Sequence, residues 1–227
     1  MKIAIFTVPE TSPDEVAALA EKLGYTIVAT DPEMVASYGG DGTLMRAEHA
    51  WPGIPKIILR GSAVCKLCSP FENEEVMARV ARGTYSIEEF WKLEVTAKKK
   101  MLEAINDVTV HNGNPRHAIR YELSVNGRRV GNQVIGDGIV VATPLGSTGY
   151  YRSITDSFFE VGMGLAFNNS TEQSDHMVLK EDSTVAIRIV RGPAVVYADN
   201  KEEMIELEDG DEATVRKSGG VAKIVRV

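Results

Sequence analysis

No run of apolar residues in this 227-residue chain approaches the ~18 needed to span a bilayer, and the opening MKIAIFTVPET has too short an apolar segment for a signal peptide. A membrane protein is therefore not expected, and a cytoplasmic location is. Basic charge is also scarce. Lys and Arg are scattered apart from Lys98-Lys99-Lys100, and the net charge is −7, so the chain lacks the basic stripe of a nucleic-acid binder. Any anionic ligand needs a local site. Neither G-x-x-x-x-G-K-[ST] nor G-x-G-x-x-G occurs, which excludes the ordinary P-loop and Rossmann modes of nucleotide binding. The four histidines, His49, His111, His117 and His176, show no metal-ligand spacing. The two cysteines form one C-x-x-C, Cys65-Lys66-Leu67-Cys68, with no second pair to complete a zinc site. No protein-held metal is expected. In a cytosolic protein the pair reads as two ordinary reduced cysteines rather than a redox dithiol.

What is present is ample apolar material, 44% of the chain, in two different arrangements. Residues 1–87 alternate strand and helix signals. KIAIFTV suits a buried strand, and the next helix carries Ser12 as N-cap, Pro13 at its first position, Glu15 completing a capping box and Gly24 past its end. YTIVAT, VASY and PKIILRG read as further strands, with helices at TLMRAEHA and FENEEVMARVARG between and after the last two. This alternation predicts an α/β domain with a parallel sheet. Residues 88–227 are rich in strands without intervening helices, with Asn126-Gly127 as a hairpin turn, and predict an all-β domain of antiparallel, sandwich-like form. The exception is residues 147–164, which begin as a helix and dissolve into a loop.

Two clusters could carry chemistry. In the first, GGDGT, Gly39, Gly40, Gly42 and Thr43 surround Asp41 where a strand meets a helix. Glycines there let a ligand approach the backbone, and the helix start offers unpaired N–H groups, which makes a phosphate-binding corner. A tight turn with Asp41 as N-cap fits the same five residues. Beside phosphates, a carboxylate could help hold Mg²⁺ or accept the proton of an attacking hydroxyl. The second cluster, GDGIVVATPLGSTGYY, runs from an acidic turn through an apolar strand into a hydroxyl-rich stretch. It suits either a nucleotide-lining loop or a polar turn that caps a helix.

GGDGT followed in the second half of the chain by DGIVVATPLGSTGY resembles the NAD kinase family, whose signatures are G-G-D-G-T and D-G-x-x-x-x-T-P-x-G-S-T-A-Y. The first is shared with diacylglycerol and sphingosine kinases, and the second is the more specific. The order of an α/β part and a β-rich part is similar to that family too. The resemblance implies that Asp41 is the catalytic residue, accepting the proton of the 2′-hydroxyl of the NAD adenosine ribose, and that Gly39, Gly40, Gly42 and Thr43 face phosphate. It implies that Asn106-Asp107 stands where the family has Asn-Glu, against the adenine and ribose of the dinucleotide. Asp137 matches the aspartate of the D-G turn, and Thr143, Gly146, Ser147, Thr148 and Tyr150 match the loop lining the NAD site. ATP, Mg²⁺ and NAD follow as donor, cation and acceptor, with self-association into a dimer or tetramer.

The chain departs from the family in several places. LRGSAVCKLCS replaces an N-x-G-x-L-G-F-like loop and puts Arg60 near the expected Asn, Gly149 replaces Ala, and the chain is shorter than typical members. The expected activity is transfer of the γ-phosphoryl group of ATP to NAD, giving NADP. The alternatives are a dinucleotide-binding sensor of the same fold and a related kinase acting on another hydroxyl.

Overall fold

A computed structural model describes residues 1–171 and 175–227, which form two compact units, Met1–Phe90 with Gly220–Val227, and Trp91–Gly219. The C-terminal eight residues thus belong with the first unit and not with the β-rich segment that precedes them.

In the first unit, β1 (Lys2–Phe6), α1 (Asp14–Lys22), β2 (Thr26–Ile27), β3 (Met34–Gly39), α2 (Asp41–Ala50), β4 (Lys56–Arg60) and α3 (Asn73–Ala81) follow one another. The strands pair in parallel in the order β2-β1-β3-β4, and the chain's last strand adds to β4 through Ile224 opposite Lys56. Alternation along the strands decides which helix covers which face. Ile3, Ala36, Ile57 and Leu59 pack with Val16 and Ala20 of α1 and Val76, Met77 and Val80 of α3. Ala4 and Val35 point the other way, to Ala47 of α2 and to Trp51.

The start of α1 differs from the capping-box reading. Pro13 is the N-cap and makes no side-chain cap, while the Ser12 hydroxyl accepts the Asp14 N–H at 3.2 Å. Glu15 accepts a hydrogen bond from the Tyr38 hydroxyl at 2.9 Å, and that partner on the sheet takes it away from the helix start.

The second unit contains β5 (Ser86–Ala97, from Trp91 onward), β6 (Lys100–Ala104), β7 (Asp107–Asn112), β8 (Ile119–Val125), β9 (Arg128–Gly136) and β10 (Gly138–Ala142). After them come a 3-10 turn (Gly146–Thr148), α4 (Tyr150–Thr155), β11 (Met163–Asn168), β12 (His176–Leu179), β13 (Val185–Arg191), β14 (Ala194–Ala198), β15 (Met204–Leu207) and β16 (Glu212–Arg226, up to Gly219). One sheet is antiparallel in the order β12-β11-β10-β7-β14-β15, and the other contains β16-β13-β8-β9 with β5 and β6. Their facing side chains, among them Val108, Val110, Ile139, Val141, Tyr121, Ile187 and Val215, form one buried core, the sandwich expected from the strand texture. Asn126 and Gly127 both have positive φ, 51° and 74°, and make the two-residue hairpin turn that joins β8 to β9.

A buried ion pair lies under the first unit's sheet. Lys56 and Glu48 side chains are each 1% exposed and pair directly, and Glu48 also accepts the Gly53 N–H at 3.0 Å. Removing one charge leaves the other in a low-dielectric setting. Glu48→Ala should therefore destabilise the protein by about 3–5 kcal/mol, read as a lower urea midpoint at unchanged slope.

Candidate functional site

Each unit carries one of the two motifs at the end of a strand.

In the first unit β3 stops at Gly39 and α2 begins at Asp41. The corner is too tight for side chains. A Cβ on Gly39 would lie 2.1 Å from Thr43 Oγ1, and one on Gly40 would lie 2.7 Å from the Val64 carbonyl oxygen. Gly40 is the N-cap, its carbonyl accepting the Thr43 and Leu44 N–H groups at 3.0 and 3.2 Å. Asp41 is therefore the first residue of its helix and not its N-cap. Its carboxylate reaches across to the loop after β4, where Oδ2 accepts the Lys66 N–H and Oδ1 the Leu67 N–H, both at 3.1 Å. Each oxygen keeps a further lone pair. Gly42 fills the second position of α2.

The loop that Asp41 holds is the one in which the chain departs from the NAD kinase pattern that it resembles. The backbone of Arg60 is pinned by Asn73, whose Oδ1 accepts the Arg60 N–H at 2.8 Å while its Nδ2 donates to the Arg60 carbonyl at 2.9 Å. Cys65 and Cys68 are joined in a disulfide, which corrects the expectation of two reduced cysteines. That expectation rested on compartment, whereas the turn through Lys66 and Leu67 brings the two sulfurs together.

In the second unit the hydroxyl-rich stretch folds back on Asn106-Asp107. The Thr143 N–H donates to the Asn106 carbonyl at 2.8 Å, the Thr143 hydroxyl donates to the Ile105 carbonyl at 2.6 Å, and the Gly146 N–H donates back to the Thr143 hydroxyl at 3.1 Å. Contact is close enough that a Cβ on Gly146 would lie 2.1 Å from the Asn106 carbonyl oxygen. The Ser147 hydroxyl lies 2.7 Å from the Pro144 carbonyl and 2.9 Å from that of Phe159, and with Gly146 and Thr148 it forms the 3-10 turn leading into α4. Asn106 Oδ1 is buried and meets no donor among the described residues, an unspent acceptor suited to a ligand N–H or O–H.

Tyr150 opens α4, and its hydroxyl accepts the Asn168 Nδ2–H at 3.0 Å. Burial raises its pKa, with the Asp107 and Asp137 charges adding to the effect, so it stays a phenol. Asp137 lies at the opposite end of β10 from Thr143. Asn112 Nδ2 and Asn169 Nδ2 donate to its carboxylate at 3.2 and 2.9 Å, and it pins the turn that opens β10. Alternation along the strands places Asp107, Thr109, His111, Asn168 and Tyr197 on the sheet face that looks away from the core.

One residue that organises this region carries no sequence signature. Asp199, at φ 50°, accepts the N–H groups of Ile105, Asn106 and Asp107 at 2.8, 2.8 and 3.1 Å. The local sequence ADN matches no motif, and only the pairing of β14 with β7 brings it to the Asn-Asp turn. His111, Thr109 and Tyr197 were likewise invisible as neighbours of Tyr150 and Asp107.

Asp107 is 8% exposed, and burial first, then the Asp199 charge, push its pKa up to about 7.

The first unit thus places an acid in a glycine corner at the end of a parallel strand, and the second folds a hydroxyl-rich turn on an Asn-Asp pair. The model of the ATP-NAD kinase C-terminal domain matches residues 105–227. The NAD kinase of Natranaerobius thermophilus is 32% identical over 212 residues, covering 86% of this chain and 73% of that protein. The NAD kinase of Sulfurisphaera tokodaii is 30% identical over 250 residues, covering 100% and 95%. Among solved structures, an NAD kinase from Archaeoglobus fulgidus in complex with ATP shares the fold at TM-score 0.83 and 21% identity, covering 99% of this chain and 93% of that one. Yeast NADH kinase complexed with NADH does so at 0.85 and 18%, covering 100% and 83%. The chain belongs to the NAD kinase family.

The Asp107 pKa carries a test. Folded protein holds this proton up to about 7, whereas the unfolded chain releases it near 3.8, so the native state binds more protons between those values. Stability then falls as pH rises through that window, by of order 1.4 kcal/mol per unit. Thermal melts at pH 5 and pH 8 should differ less in Asp107→Asn than in the unsubstituted protein; an equal difference in both would assign the effect to another group.

Proposed function

We propose that this protein is an NAD kinase that transfers the γ-phosphoryl group of ATP to the 2′-hydroxyl of the NAD adenosine ribose, releasing ADP and NADP. The observation that carries this reading is the folding of the T-P-L-G-S-T loop onto Asn106-Asp107, which leaves a buried, unspent acceptor on Asn106 beside a glycine-lined backbone.

The chemistry asks for positioning and charge compensation more than for covalent help. The ribose oxygen attacks the γ-phosphorus in line, the bond from that phosphorus to the ADP oxygen breaks, and the hydroxyl proton passes to a remaining lone pair of the Asp41 carboxylate. Two backbone N–H groups already hold that carboxylate, so no reorganisation is needed to orient it. Gly39, Gly40, Gly42 and Thr43 form the turn that faces the phosphates. Asn106 and Asp107 take the adenosine part of NAD. Thr143 and Gly146 set the loop's shape, while Ser147, Thr148 and Tyr150 line it, and Asp137 holds the turn at the other end of β10. Mg²⁺ arrives on the triphosphate, whose oxygens are its natural ligands.

Among the described residues no helix is long and apolar enough to cross a membrane. A cytoplasmic enzyme that self-associates as a dimer or tetramer completes the reading, on the resemblance to its family.

Purified protein given ATP, Mg²⁺ and NAD should form NADP and ADP in equal amounts, scored with an NADP-specific dehydrogenase. Binding of NAD without product would sink the kinase reading in favour of a sensor. Asp41→Asn should lose about 10²–10⁴-fold in kcat while still folding, checked by circular dichroism, and near-normal turnover would remove Asp41 from the role of base.

A further inference from the structure

We infer that Cys65 and Cys68 are positioning residues of the kinase reaction, a redox-sensitive clamp that holds the Asp41 carboxylate in place when the disulfide is closed. The inference rests on the reading of Asp41 as the base.

The loop from Gly61 to Ser69 buries little of itself. Ser62, Ala63, Val64 and Lys66 are exposed, Val64 by 68%. A segment with so little buried surface takes its shape from specific ties. At its start the Gly61 N–H donates to the Gly39 carbonyl at 3.0 Å. At its turn the only two residues between the cysteines, Lys66 and Leu67, give their N–H groups to the two oxygens of Asp41. On its far side Arg226 Nη1 donates to the Leu67 carbonyl at 3.1 Å. The disulfide closes the same two-residue turn and sets the direction of both N–H groups. The redox pair and the catalytic carboxylate thus share the same peptide groups.

The sulfurs differ in access. Cys65 is 8% exposed, while Cys68 is less buried and lines a cavity of about 220 Å³ with Lys66, Leu67, Pro70 and Arg226. An external dithiol would attack at Cys68. Its thiolate forms a mixed disulfide there, the Cys65–Cys68 bond breaks, and Cys65 leaves as a thiolate that takes up a proton. The second thiol of the reductant then displaces Cys68, so two electrons pass to the loop and the reductant leaves as a disulfide. Freed of its closure, the Lys66-Leu67 turn no longer presents both N–H groups together, and the carboxylate loses its fixed orientation. A kinase that is faster when this loop is oxidised makes more NADP, the precursor of a biological reductant, when dithiols are scarce.

The test is to assay the full-length protein oxidised and after reduction with dithiothreitol, with both thiols titrated as free in the reduced sample. Amide hydrogen exchange at Lys66 and Leu67 is followed in both. Reduction should lower kcat by about 100-fold, the cost of misplacing a catalytic group by an ångström. KM for ATP and NAD should stay within about twofold, the two amides should lose protection, and reoxidation should restore both readings. The double variant C65S/C68S should match the reduced protein and ignore the reductant. Unchanged kcat with both thiols free, equal protection in the two redox states, or an oxidised-level kcat in the double variant would each overturn the clamp. Asp41→Asn separates the two readings: if it is inactive while the unsubstituted protein ignores reduction, the clamp fails and the base stands, whereas substantial turnover in Asp41→Asn removes the base itself.

Discussion

A backbone N–H taken out of water has to find an acceptor, and in this protein two aspartates supply acceptors where the sheets do not. Asp41 accepts two N–H groups from the loop after β4, and Asp199 accepts three from the turn between β6 and β7. Each carboxylate thereby shapes an irregular segment, one in each unit, that carries or adjoins a predicted functional residue. Without its bonds to Asp199, the turn between β6 and β7 would leave part-buried polar backbone unpaired, at a cost of about 1–3 kcal/mol for each group, whereas water can replace Asp41 at the exposed Lys66.

The second constraint is the absence of Cβ atoms. At Gly39, Gly40 and Gly146 the neighbouring chain comes so close that any side chain would overlap it. Glycine here leaves room for the Thr43 side chain at Gly39 and for neighbouring backbone at Gly40 and Gly146. Phosphoryl transfer draws on this kind of rigid surface, because the transition state gains from dipoles already aimed at it. The acids are handled differently in the two units. Asp41 sits at a helix start among N–H donors, while Asp107 is buried beside another aspartate and holds its proton to about 7. The first setting orients a carboxylate, and the second suits a carboxyl that can donate a hydrogen bond.

Much of this was legible in the residues. Continuous apolar runs alternating with capped helical patterns specified a parallel sheet, and dense strands with Asn126-Gly127 specified the antiparallel part, because periodicity and turn chemistry are local properties. GGDGT and TPLGSTGY were legible as tight turns for the same reason, since few residue types can make them. The sequence alone also showed that no P-loop pattern is present.

Only the tertiary structure decided who meets whom. Asp41 could have capped its own helix, and it is the loop after β4 that draws its carboxylate away. Glu15 could have closed a capping box, and Tyr38 on the sheet takes it instead. Asp199 became the anchor of the Asn106-Asp107 turn through strand pairing across a long stretch of chain, and the last eight residues returned to the first unit. Cys65 and Cys68 read as an unremarkable pair until the turn between them was seen to face a carboxylate. Local pattern reports which conformations a segment favours, but hydrogen-bond partners far apart in sequence are chosen by packing, and that choice exists only in three dimensions.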